Sequence, residues 1–68
     1  MIPRMKISSM GPYERAWAER QWAVGYRYIV FPPIDDGLDP VYTDTLESCL
    51  SVAKIYGDGA IAYELEND

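Results

Sequence analysis

Apolar positions recur along residues 44–57 with the period of a helix. Leu46, Cys49, Leu50 and Ala53 fall at i, i+3, i+4 and i+7 and form one stripe, while Glu47, Ser48, Ser51 and Lys54 take the other face. Asp44 precedes the stripe as an N-cap, with Glu47 three residues on at capping-box spacing, and Gly57 stands where helices end in the left-handed conformation. Beyond Gly57-Asp58-Gly59 the pattern changes to alternation. Ile61, Tyr63 and Leu65 share one face and Ala60, Ala62 and Glu64 the other, so residues 60–65 read as a strand that runs into the polar tail Glu66-Asn67-Asp68. Residues 26–31, rich in aromatic and β-branched types, read as a second strand that stops at Pro32-Pro33. The stretch from Pro32 to Pro40 contains Asp36-Gly37 and reads as a loop, and Val41-Tyr42 as a short strand completing a hairpin.

The N-terminal third is less regular. Pro12 at a first helical position, followed by good helix formers and then Gly25, predicts a helix over 12–23; a strand pairing with 26–31 is the alternative. Arg4 to Ser8 is an edge strand or a loose tail. The expected fold is α+β and a single domain over 1–68: a small antiparallel or mixed sheet packed by the 44–57 helix, with a second helix at 12–23. In the strand 26–31, Tyr26, Tyr28 and Val30 lie on one face and Arg27, Ile29 and Phe31 on the other. Both faces are largely apolar, yet the 44–57 helix supplies one layer. Either the N-terminal segment or another chain covers the second face, which points to a homodimer or an aromatic partner contact. Trp17 and Trp22, five apart, diverge by about 140° on a helix, so one of them is expected at an edge or interface.

Composition supports a folded chain. Of its 68 residues, 49% are hydrophobic, with two Trp and six Tyr, well above what a disordered tail carries. Charge is divided unevenly. Residues 1–34 carry five cations against Glu14 and Glu19 (net +3), and residues 35–68 carry nine acids against Lys54 alone (net −8). Phosphate backbones repel such a chain, so direct nucleic-acid binding is not expected. A single cysteine, Cys49, permits no internal disulfide. With no signal-peptide pattern and no apolar run longer than Tyr28–Phe31, the expectation is a soluble cytoplasmic protein without a membrane partner.

Catalytic and metal chemistry find little to stand on. The chain lacks histidine, the commonest general base and metal ligand. Cys49 lies within the apolar stripe, where a buried small hydrophobe is the natural reading, and the serines have no base at recognisable spacing. Asp35, Asp36 and Asp39 suggest calcium. Aligning Gly37 with the invariant glycine of an EF-hand, however, puts Pro32 and Ile34 at ligand positions and Thr43 where a glutamate belongs. Gly57-Asp58-Gly59 is too short for a dinucleotide fingerprint. No catalytic residue, cofactor or metal is therefore expected.

Tyr42-Thr43-Asp44-Thr45-Leu46-Glu47, followed by Tyr56-Gly57-Asp58-Gly59-Ala60-Ile61-Ala62-Tyr63-Glu64, resembles a helix-then-strand unit common in very small proteins of phages and mobile elements. In size, acidity and lack of catalytic residues the chain resembles small phage-encoded inhibitors of bacterial defence, of the anti-CRISPR kind. That resemblance implies a protein that occludes a surface on a host complex. The expected partner is a host protein with a basic surface. Asp35, Asp36, Asp39, Asp58, Glu64 and Glu66 would steer the encounter, and Trp17, Trp22, Tyr26 or Tyr28 would anchor it. A homo-oligomeric assembly adaptor is the alternative, with a small-molecule binder third.

Overall fold

The computed structural model describes residues 2–68. In chain order these form β1 (Arg4–Lys6), a 3-10 turn (Ile7–Ser9), α1 (Pro12–Ala23), β2 (Tyr28–Phe31), a second 3-10 turn (Ile34–Asp36), β3 (Val41–Thr43), α2 (Leu46–Tyr56) and β4 (Ile61–Glu66). The fold is α+β with a mixed sheet, as expected. The ambiguity over 12–23 is resolved as a helix, with Pro12 in its first turn. Its end is set by Gly25 at φ +109°: Gly25 N donates to Trp22 O (3.1 Å) and Tyr26 N to Gln21 O (3.0 Å), the paired bonds of a Schellman motif. Arg4–Lys6 is an edge strand rather than a loose tail.

Helix α2 differs from its expected form in two ways. It is capped by Thr45, not Asp44: Thr45 Oγ1 accepts from Ser48 N (3.1 Å) and donates to Ser48 Oγ (3.1 Å). Strand pairing explains the shift. Thr43 still belongs to β3, and its carbonyl accepts from Arg27 N (3.0 Å), so the chain leaves the sheet only at Asp44. The buried line is also narrower than the apolar stripe. Cys49 is fully buried and Val52, Ala53 and Tyr56 are half-buried, but Leu46 and Leu50 are 45% and 49% exposed. The helix sits with Cys49 facing the sheet and leaves its two leucines at the margin.

The sheet order is β1-β4-β2-β3, with β1 parallel to β4 and the other pairs antiparallel. Strands β3 and β4 flank β2, so α2 crosses over β2 in joining them. Register sorts the side chains. Ile29 pairs with Tyr42 and Tyr63, and Met5 with Leu65, on one face; Tyr28 pairs with Thr43 and Glu64, and Val30 with Val41 and Ala62, on the other. Helix α2 covers the Tyr28–Val30 face. The Ile29 face is met by Ile7 and by Ala18 and Trp22 of α1, so the N-terminal segment does supply the second layer. Coverage is thin, because α1 runs close to the Ile7–Ser9 turn and scarcely approaches any strand. The accessible surface is 4801 Å² for 7.7 kDa, against about 4,300 Å² for a typical folded monomer of that mass.

The cap assignment is directly testable. Thr45→Ala should lower unfolding free energy by about 1 kcal/mol, while Asp44→Ala should change it by less than about 0.5 kcal/mol. Chemical denaturation of the two variants would reverse that order if Asp44 were the cap.

Candidate functional site

The face that α1 turns to the sheet carries Gly11, Glu14, Ala18 and Trp22 in successive turns. Only the last is large and apolar. Trp22 reaches the core formed by Ile7, Ala18, Ile29 and Leu65. Its ring is also stacked by the Arg27 guanidinium, 3.9 Å from the centroid, and Arg27 Nη1 donates to the carbonyls of Trp22 (2.8 Å) and Tyr26 (2.9 Å). One end of α1 is thus clamped. At the other end a carboxylate stands where a core-facing helix would carry a large apolar side chain, and a cleft of about 680 Å³ opens.

Ile29, Phe31, Met5 and Tyr42 line the sheet side of this cleft, Tyr13, Glu14 and Trp17 the helix side, and Asp39 and Pro40 its far rim. The rim is tied down from the opposite layer, since Tyr56 Oη donates to the carbonyl of Asp39 (3.1 Å). Among the described residues no lysine or arginine lines the cleft, and the charged ones there are Glu14 and Asp39. Glu14 folds back over the helix start, close enough that a Cβ at Gly11 would meet its Oε2 at 2.7 Å. Among the described residues no ion pair engages it. The Tyr42 hydroxyl is pushed above the usual tyrosine range, first by burial and then by the negative charge of Glu14. The volume is typical of ligand sites, and the lining is aromatic, apolar and negative.

The structure divides the residues expected to bind a partner. Trp17, 49% exposed, and Asp39 both line the cleft. Trp22 is half-buried beneath Arg27, so of the two tryptophans Trp17 is the one at an edge. Tyr26 and Tyr28 are half-buried, and Tyr28 faces α2 on the opposite side of the sheet. Asp35, Asp36 and Asp58 are exposed on the loops that join β2 to β3 and α2 to β4. Because β2 runs antiparallel to both partners, these loops leave the sheet at one end, where Gly59 packs against Pro33. Glu64 and Glu66 lie apart from them, beside Arg4 on the β1–β4 edge (3.6 and 3.8 Å). Sequence reasoning missed Met5, Met10, Tyr13, Glu14, Phe31, Pro40 and Tyr42. The usable signal was the Gly11–Glu14–Ala18–Trp22 line, small or charged where a covering helix is normally bulky.

Elsewhere the structure offers little chemistry. Burial pushes the Cys49 thiol up, only partly offset by its hydrogen bond with Thr43, which disfavours the thiolate. Among the described residues no group of three or more His, Cys, Asp or Glu is placed to hold a metal ion, and no helix is long and apolar enough to cross a membrane. No protein family, curated protein or solved structure matches the chain.

The position of Tyr42 has a pH consequence. Its folded value is raised, so its contribution to stability is complete below the unfolded value of about 10 and is lost as pH rises towards the folded one. The tyrosinate absorbance difference between wild type and Tyr42→Phe should show Tyr42 titrating above the ordinary range, and Glu14→Gln should move that midpoint down. A midpoint at the ordinary value, insensitive to Glu14, would contradict the packing described.

Proposed function

We propose that this protein is a small acidic interaction module that binds a host protein and modulates it by steric occlusion, without catalysing a reaction. One observation carries the reading: an open cleft walled by Trp17, Tyr13, Tyr42 and Phe31 whose charged residues are both acids. Aromatic side chains supply contact area at low entropic cost, and unpaired carboxylates favour a cationic counterpart. Asp35, Asp36 and Asp58 on the loops at one end of the sheet add negative potential and would speed encounter with a basic surface. The same charge disfavours direct nucleic-acid binding and suits a partner that itself handles nucleic acid. In its finer form the protein is a cytoplasmic phage-encoded inhibitor of such a defence complex, a reading supported by size and acidity.

A second reading, an assembly adaptor that pairs with its own copies, rests on a different place. Leu46 and Leu50 are half-exposed beside Ile2, Tyr28 and Glu64, around a hollow of about 140 Å³ on the α2 face. The two readings separate by variant. In pull-downs from host lysate, the wild-type protein should retain one stoichiometric partner at low salt and lose most of it at several hundred millimolar, where the Debye length falls to a few ångströms (about 3 Å at 1 M). Trp17→Ala and Glu14→Lys should abolish retention, and Leu50→Ser should not. Recovery of the chain alone as an oligomer dispersed by Leu50→Ser would favour the adaptor.

A further inference from the structure

We propose that the cleft between α1 and the sheet receives an extended, arginine-bearing apolar segment of the partner protein, with the guanidinium held beside Glu14 and Asp39. This rests on the interaction reading above and specifies its chemistry. The lining residues reach from Met5 on β1 to Tyr42 on β3, the two edge strands of a four-stranded sheet. Three strand spacings of about 4.8 Å make that span about 14 Å, the length of roughly four extended residues. A compact organic cation fills only part of it. Ile29, Phe31 and Met5 offer an apolar bed for a side-chain stem, and Tyr42, Tyr13 and Trp17 offer aromatic surface on which a planar guanidinium stacks better than an ammonium. The acids supply the charge complement, since no lysine or arginine among the described residues lines the cleft.

The chain's own cations do not fill that role. Arg4 and Lys6 are engaged with Glu64, Glu66 and Asp68 on the β1–β4 edge, and Arg27 is stacked on Trp22. Arg15 and Arg20 lie on α1 itself, so a second copy would have to deliver them from the helix that forms its own cleft wall, and Lys54, on α2, carries an ammonium rather than a guanidinium.

The test uses the full chain, isotope-labelled for amide NMR, titrated with a short blocked peptide that has one arginine between two leucines. Control peptides replace that arginine by citrulline or by glutamate, and arginine amide alone serves as the small-cation probe. The arginine peptide should shift the amides of Glu14, Trp17, Phe31 and Tyr42, and bind about tenfold more tightly than the citrulline peptide. Glu14→Gln should weaken it about threefold or more, with the Trp22 and Arg27 signals unmoved as evidence of an intact fold.

Several results would overturn the proposal: no binding at millimolar peptide, equal binding of the citrulline or glutamate peptide, or shifts centred on Leu46 and Leu50. Arginine amide binding as tightly as the peptide would make the site a small-cation pocket. Shifts that follow protein concentration alone would assign the cleft to a second copy. Failure here is distinguishable from failure of the interaction reading. A host partner captured by the wild type and lost with Glu14→Lys and Trp17→Ala, while the arginine and citrulline peptides bind equally, would leave that reading standing and remove this one. Peptide binding without any captured partner would do the reverse.

Discussion

Strand β2 carries apolar side chains on both faces, and a chain of 68 residues has to cover both of them. Ile29 and Val30, adjacent in sequence and opposite in direction, are each almost fully buried, the one towards α1 and the other on the face that α2 covers. The topology follows from that requirement. One face is closed when α2 crosses β2 between its two neighbours, and the other when the N-terminal segment returns over the sheet. Three layers from so short a chain leave little interior: among the described residues the buried apolar ones are Ile7, Ala18, Ile29, Val30, Cys49 and Leu65. Cavity-forming changes at any of them would be felt, because so few others share the load.

The two faces are closed by different means. Helix α2 lies against three strands along an inward line centred on Cys49 and is fixed by a side-chain cap. Helix α1 has no side-chain cap and is fixed chiefly at its C-terminal end, where Trp22 meets the core, Arg27 stacks on Trp22 and Gly25 closes the backbone. The cleft is therefore a consequence of anchoring a helix at one end while placing Glu14 where bulk would have drawn the other end down. Replacing a carboxylate by a large apolar side chain at such a site commonly gains stability, so its presence is the kind of local conflict expected where a surface is kept for binding.

Much of the fold was legible in local sequence signals. Alternation at Ile61, Tyr63 and Leu65, the stop at Pro32-Pro33 and Pro12 at a helix start identify elements that depend on near neighbours. The cap of α2 was not legible, because Asp44 and Thr45 are both good caps and the choice was made by Thr43 remaining paired with β2. Nor was the exposure of Leu46 and Leu50, which depends on how the helix is rotated over the sheet. The candidate site is the least local feature of all. Its residues come from β1, the Ile7–Ser9 turn and the link after it, α1, β2, β3 and the loop before β3, and only Trp17 and Asp39 stood out beforehand.

Electrostatics links the cleft to the rest of the surface. Summed along the chain, the charge divides into a positive first half and a negative second half, but folding rearranges it. The β1–β4 edge brings Arg4 and Lys6 to Glu64, Glu66 and Asp68 at 3.6–4.0 Å, across exposed side chains whose attraction water largely screens. Arg27 turns inwards onto Trp22. Of the acids that no ion pair engages among the described residues, Asp35, Asp36, Asp39 and Asp58 gather where β2, β3 and β4 meet their loops, while Glu14, Glu19, Asp44 and Glu47 lie on or beside the helices. Asp39 belongs both to that end and to the cleft rim, and its backbone is held by Tyr56 from the opposite layer. The proposed cationic partner, drawn in by the long-range field of the loops, would be delivered to an aromatic cleft whose charged residues are acids. The proposed encounter and docking surfaces meet at Asp39, whose carbonyl accepts a hydrogen bond from Tyr56 of α2.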